Sequence, residues 1–496
     1  MISVGGVIGT GLFLGSATAL KNAGPVGMLL AYIFIGSICF CVMVSVGEMI
    51  SFLPIAGGHI RLAERFVDPA FSFALGWSFW YGWVVSPYQT AELSAAATLI
   101  DFWHPGVSNA VWITMCLVIA ISINMLGVGV YGESEFIFCS IKVITIVGLI
   151  ILGIVLDLGG GPNHERLGFK YWRNPGPFVQ YEGIEGNLGR VIGWSAAVTQ
   201  AAFSYVGTEV VAIAAAEAKN PRRNLPRAVR RVYARILVFY IGSVFVIGLL
   251  VPSTEPLLDL DSGNASASPF VIAINRAGIK GLPSVINVAF LTSAWSAASG
   301  DLYIASRGLY GLAAAGNAPK IFLRTTRSGF PIASVIFSAA FSLLSYMATS
   351  ASSGEVFTWF SSMTATCGLW GWCAIGIIYV RYYAGIRAQK IDRRSLPYSS
   401  RLQPFASWWA IFACGITMLF SGYEVFLRGQ WSTATFVTNY LPIILFPVLY
   451  VLAKIVTRIP LVPVHEMDFV SGSRVDDELQ EPRSQTWLIS FWTWLM

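Results

Sequence analysis

WSAAVTQAAFSYVGTEVVAIAAAEAKNP, residues 194–221, decides how the chain is read. Its flanks are apolar and helix-like, but its middle, Phe203, Ser204, Tyr205, Val206, Gly207, Thr208 and Glu209, is not. Glycine and β-branched residues are poor helix formers. In lipid, a break in a helix is tolerated only where protein or a water-filled cavity covers it. A carboxylate such as Glu209 within a segment of this apolarity marks a functional site. The plain alternative is an ordinary packed helix with small residues at its contacts.

The composition puts that stretch in a membrane. Of the 496 residues, 55% are hydrophobic and 12% charged, and the mean hydropathy is +0.65. Soluble domains carry about 25% charge, so the chain reads as an all-α integral membrane protein with the lipid bilayer as its main partner. Nucleic acid is not expected, because the basic residues sit in short loops between apolar runs. The seven cysteines all fall in apolar runs with no zinc or redox spacing, so neither a metal nor a cofactor is expected. The four histidines, His59, His104, His164 and His465, are scattered, mostly in loops and tails, which argues against an enzyme.

Twelve spans are predicted, near residues 3–20, 27–50, 71–101, 111–127, 135–157, 190–216, 230–252, 283–305, 331–349, 355–380, 408–427 and 434–456. No cleavable signal peptide is expected, since Met1 leads directly into an apolar run. Most of the 32 Lys and Arg residues fall on one face, above all in loops 219–235 and 381–401, which places both termini in the cytoplasm. Loops 158–189 and 252–282 then face outward, the second with a glycosylation sequon at Asn264. Residues 461–496 form a cytoplasmic tail whose end, TWLISFWTWLM, is too short to span.

A second interrupted segment opens the chain. Gly5, Gly6, Gly9 and Gly11 surround Ile8 and Thr10, and no P-loop lysine or GxGxxG pattern supports a nucleotide reading. Helix packing through Gly5 and Gly9 is the plain alternative. Glycine-interrupted segments at matching places in two halves point to a transporter with inverted repeats. Here the halves run over about 3–157 and 190–380, with helices 1 and 6 broken and two extra helices over 408–456; residues 1–460 form one transmembrane domain. One break offers N–H groups and positive dipole to a carboxylate, the other free carbonyls to an ammonium. Two such breaks facing each other fit a zwitterion, hence an α-amino acid.

The longer motifs carry a resemblance. GGVIGTGLF (5–13), FVDPAFSFALGWSFW (66–80), FSYVGTEVVAIAAAEAKNPRRNLPRA (203–228) and SRGLYGLAAAGNAPKIF (306–322) resemble the fungal amino-acid permeases. These form the yeast amino acid transporter family of the amino acid–polyamine–organocation superfamily. The resemblance implies a five-plus-five inverted repeat, alternating access and proton-coupled uptake at the plasma membrane. It also implies that Ile8, Gly9, Thr10 and Gly11 hold the substrate carboxylate. Phe203, Ser204, Tyr205, Val206 and Gly207 would face the amino group and side chain, Phe203 as an occluding aromatic. Residues 156–172 and 267–279 look most like the dicarboxylic amino-acid permease branch; a general or neutral permease is the alternative. The chain departs from the family in its short lead before the first span, and in Ser299 and Gly300 ahead of Asp301.

Charge within the spans is sparse. Glu48, Glu133 and Glu135 lie near span ends and are expected to reach water. Lys142 lies deep in the fifth span, where relatives without sodium coupling place a lysine instead of the ion. A buried ammonium suits a proton carrier, and Glu92 and Glu209 are its expected partners; a static ion pair is the alternative. A channel, a membrane enzyme and a transporting nutrient sensor remain as rival classes.

Overall fold

The computed structural model describes residues 9–55, 57–84, 88–103, 106–126, 128–210, 236–259, 268–326, 329–349, 353–427 and 429–471. Ile8, loop 219–235, the sequon at Asn264 and the end of the tail lie outside them. Among the described residues the architecture is all-helical, without a strand. The helices that position the site are α1 (Ser16–Phe52), α2 (Gly58–Phe66), α3 (Pro69–Val84), α4 (Tyr88–Asp101), α5 (Asn109–Met125), α6 (Val128–Asp157) and α7 (Gly186–Tyr205). They are followed by α8 (Gly242–Leu250), α9 (Pro269–Arg276), α10 (Leu282–Ala314), α11 (Ile332–Phe341), α12 (Ser353–Ala388), α13 (Phe405–Phe420) and α14 (Thr433–Thr457).

Among the described residues each predicted span overlaps helix, while residues 3–8, 211–216 and 230–235 of the predicted spans lie outside them. Four helical stretches are long and apolar enough to cross a bilayer unaided: Gly11–Phe52, Gly129–Asp157, Gly354–Ala388 and Thr433–Thr457. The first of these covers two predicted spans. They remain separate segments because the chain turns at Gly24, with φ 76°, just before Pro25. Loop 158–189 seals that turn: the Val26 N–H donates to the Pro177 carbonyl and the Val179 N–H to that of Ala23.

The outside of the bundle is apolar. On α14, Val437, Ile444, Val448, Leu452 and Val456 are exposed, and on α6 Ile137, Ile144 and Ile151 are too. Monomeric soluble proteins do not expose patches of that extent, so this surface requires lipid. The inside is organised around α1 lying along α7, with α12 packed on both.

Polar clamps tie the ends of the helices, and here two sequence expectations fail. Glu48 does not reach water: it is fully buried. Its carboxylate accepts from the Tyr379 hydroxyl at 2.7 Å, from Arg393 Nε and Nη2 at 3.0 and 2.8 Å, and from the Ser400 N–H at 3.1 Å. Glu135 is buried as well and accepts from the Ser296 hydroxyl at 2.9 Å. Both sit near helix ends in sequence, but neighbouring elements fold over them. Glu133, two residues from Glu135, is exposed. Asp68 joins α3 to α14 by accepting from Lys454 Nζ at 2.7 Å.

The first residues of the tail are docked rather than free. The Val462 N–H donates to the Val67 carbonyl, and Arg381 donates to the carbonyls of Phe66 and Val462. Phe469 packs on Phe66 and Tyr382, with centroids 5.2 and 5.7 Å apart.

Candidate functional site

α7 ends inside the stretch that the sequence singles out. The last residue of α7 is Tyr205; Val206 is extended (ψ 145°), and Gly207 has φ 102°. Only glycine adopts that conformation without strain. A single 3₁₀ turn, Thr208–Val210, follows. The Gly207 N–H, released from helical pairing, donates to Glu209 Oε2 at 3.0 Å, and the Trp372 indole N–H of α12 donates to the same oxygen at 2.9 Å. Glu209 therefore clasps the break rather than facing Lys142.

The glycine-rich segment 9–15 lies directly against the end of α7. The Leu12 N–H reaches back to the Gly9 carbonyl, and a π-helical turn, Gly11–Gly15, leads into α1. Gly11 faces α7 so closely that a Cβ there would sit 2.9 Å from Ser204 Cα and 3.0 Å from a Phe203 ring carbon. That approach explains why neither residue type nor propensity alone decides this position: a side chain at Gly11 would separate the two segments. The Thr10 hydroxyl donates to Glu92 Oε1 at 2.8 Å, which joins the first segment to α4.

The other predicted site residues surround this junction. Ser204 Oγ is 3.0 Å from the Tyr32 hydroxyl, and the Tyr205 hydroxyl donates to the Tyr32 carbonyl at 3.2 Å. Tyr205 stacks on Tyr240 at 4.3 Å. Phe203 is 5% exposed and meets the Phe357 ring edge-on at 5.7 Å. Thr208 Oγ1 lies 3.3 Å from Cys39 Sγ. Ile8 lies outside the described residues.

The buried charges form a separate group beside the first segment. Lys142 of α6 is within electrostatic range of Glu92 of α4, Glu135 of α6 and Asp301 of α10. All four side chains are buried. Glu92 Oε2 and Asp301 Oδ2 have no hydrogen-bond partner among the described residues. Of the two partners expected for Lys142, the fold supplies Glu92 and sends Glu209 to α12. It adds Glu135 and Asp301, which sequence reasoning left aside. Asp301 is a carboxylate in the middle of an apolar helix and was a signal in plain view; Glu135 was misread because its place near a span end suggested solvent.

Inside the apolar-coated helical bundle, the glycine-rich segment 9–15 thus meets the end of α7, just ahead of the extended Val206 and of Gly207. The chain belongs to the amino acid permease family: the family model for amino acid permeases matches residues 1–465. It is 40% identical to a proline-specific permease of Emericella nidulans, across 100% of this chain and 91% of that protein. It is 38% identical to the dicarboxylic amino acid permease of Saccharomyces cerevisiae, across 97% of this chain and 80% of the relative. The basic amino-acid permease of the same yeast is also 38% identical, across 98% and 85%. These relatives are transporters, not enzymes. Their similar identities do not single out the dicarboxylic branch.

Proposed function

We propose that this protein is a proton-coupled importer of L-amino acids at the fungal plasma membrane, working by alternating access. In this reading twelve helices span the bilayer as two inverted five-helix repeats and two extra helices, with both termini in the cytoplasm. The substrate carboxylate is held by Ile8, Gly9, Thr10 and Gly11, and the amino group and side chain by Phe203 to Gly207. The observation that carries the reading is the close approach of Gly11 to Ser204 and Phe203. Backbone freed at both breaks can then serve one small zwitterion from two sides.

Lys142 is the proposed proton carrier. A proton passed from the Lys142 ammonium to one of the three carboxylates would leave the net charge of the buried group unchanged. Glu92, hydrogen-bonded to Thr10, would pass that change to the carboxylate site. Glu209 is the other proposed coupling group, since its ionised form clasps the second break.

For the side chain, the sequence resemblance makes glutamate and aspartate the first substrates to test. Proline and the neutral amino acids come second, in view of the proline-specific relative. The test is radiolabelled uptake of an amino-acid panel in a permease-deficient host, with and without a protonophore. Saturable uptake that collapses with the protonophore is expected; uptake that persists unchanged would remove proton coupling. Orientation is checked with a cysteine placed at position 224, which an impermeant thiol reagent should not reach in intact cells.

A further inference from the structure

His59 is the histidine that the sequence made least of. His164 and His465 are exposed, whereas His59 is 1% exposed. Neither of its ring nitrogens has a hydrogen-bond partner among the described residues. It stands on α2 with its ring edge-on to Phe79 of α3, centroids 5.8 Å apart. It lines a narrow crevice with room for about one water molecule, together with Ser78, Cys367, Trp370 and Glu209. Ser78 Oγ and the Trp370 indole N–H are likewise buried without a partner among the described residues.

Leaving a buried polar group unsatisfied costs about 1–3 kcal/mol. Several such groups lining one space large enough for a water molecule are the usual setting of buried water. Glu209 also lines this space, and its Oε2 accepts from the Gly207 N–H. A carboxylate binds N–H donors about twice as strongly as a neutral acceptor does. Protonation of Glu209 would thus loosen the clasp on the second break, and deprotonation would restore it. The titratable groups around the path are few. Glu209 and the Cys367 thiol face the crevice, and the Cys39 thiol of α1 approaches Glu209 through Thr208. Burial lowers the His59 imidazole to about 4, so the ring rests neutral and would hold a proton only in passing.

We propose that His59 is a proton relay between Glu209 and the cytoplasmic side, acting through this crevice. This rests on the proton coupling and orientation proposed above. A proton leaves the Glu209 carboxyl, crosses by way of water to one imidazole nitrogen, and the other nitrogen releases its proton toward the cytoplasm. The ring returns to neutral, and Glu209, again ionised, re-engages Gly207 and Trp372.

The test compares wild type with His59→Gln and His59→Phe in the same host. Net uptake and substrate-driven proton entry are measured beside counterflow exchange of labelled substrate, all per surface molecule. A lost relay should lower net uptake and proton entry tenfold or more while exchange, which need not discharge the proton, keeps its rate. In wild type, acidifying the cytoplasm should slow net uptake and spare exchange. His59→Gln keeps polar atoms in the crevice, so it serves if His59→Phe fails to reach the surface. Net uptake at the wild-type rate with the wild-type response to internal pH would overturn the relay. So would equal losses of net uptake and exchange, which mark a packing role. If wild type itself shows no protonophore effect, the proton-coupled reading fails, independently of His59.

Discussion

Gly11→Ala adds one methyl group at the point where the two interrupted segments meet. The new Cβ would lie 2.9 Å from Ser204 Cα, 3.0 Å from a Phe203 ring carbon and 3.1 Å from Ser204 Oγ. The nearest of these is backbone, so a rotamer change does not relieve it. Overpacking of this kind costs about 1–3 kcal/mol. Alanine recovers up to about 1 kcal/mol through its helix propensity. Because the nearest contact is backbone, the upper part of that range applies, about 2–3 kcal/mol, and a net penalty of about 1–2 kcal/mol falls on the state in which the two segments touch. One to two kcal/mol is a factor of roughly 5–30 in a population. Uptake per surface molecule should fall by about that factor, with surface abundance near wild type. Gly148→Ala is the control: its Cβ would meet nothing within 4 Å, and it should transport normally. The assay is initial-rate uptake normalised to surface-labelled protein. Wild-type kinetics in Gly11→Ala would refute the reasoning. So would a loss explained wholly by reduced surface protein.

Lys142→Met leaves Glu92, Glu135 and Asp301 without their shared cation. Removing one partner of a buried charge group costs about 3–5 kcal/mol, so surface abundance should drop. The molecules that remain should lose uphill accumulation and its dependence on external pH; accumulation with wild-type pH dependence would remove Lys142 from the coupling. Glu48→Gln breaks the ion pair with Arg393, whose side chain is 24% exposed. We expect destabilisation near the lower end of the same range, about 3 kcal/mol, read as a lowered midpoint in detergent thermal unfolding with transport per molecule unchanged. Gly207→Leu forces a bulky residue to φ 102°, a strain of about 1–3 kcal/mol. It should abolish uptake, and normal transport by this variant would sink the substrate role given to the second break. Asp468 tests the tail. The N–H of Ser471, with that of Val470, holds its carboxyl down at about 2. A depressed carboxyl stabilises docking fully above its ordinary value of 3.8 and loses that contribution as pH falls toward 2. Protease access to residues 459–471 should therefore stay constant from pH 8 to 5, and release of the tail in that window would contradict the assignment.

Apolar run length and composition were enough to announce a helical membrane protein, because a bilayer demands long apolar helices and punishes anything else. The interruptions at Gly9 to Gly11 and at Gly207 were legible for a local reason: glycine next to β-branched residues opposes helix at whatever depth it occurs. The motifs around them carried the family, and with it the expectation of an amino-acid substrate. What the sequence withheld is where each buried charge points. Glu209, Glu92 and Lys142 look alike as isolated ionisable residues in apolar runs. Only packing sends Glu209 to Trp372 and the Gly207 N–H, and brings Lys142 into the company of Glu92, Glu135 and Asp301. Burial of Glu48 and Glu135 was equally out of reach, since a position near a span end says nothing about which loop or helix will cover it. His59 belongs with them: in sequence it is a loop histidine beside two glycines, and it is the seating of α2 against α3 and α12 that turns it inward. Period and composition act along the chain, whereas electrostatic partnership acts across it between residues tens to hundreds of positions apart, and only the fold brings those residues together.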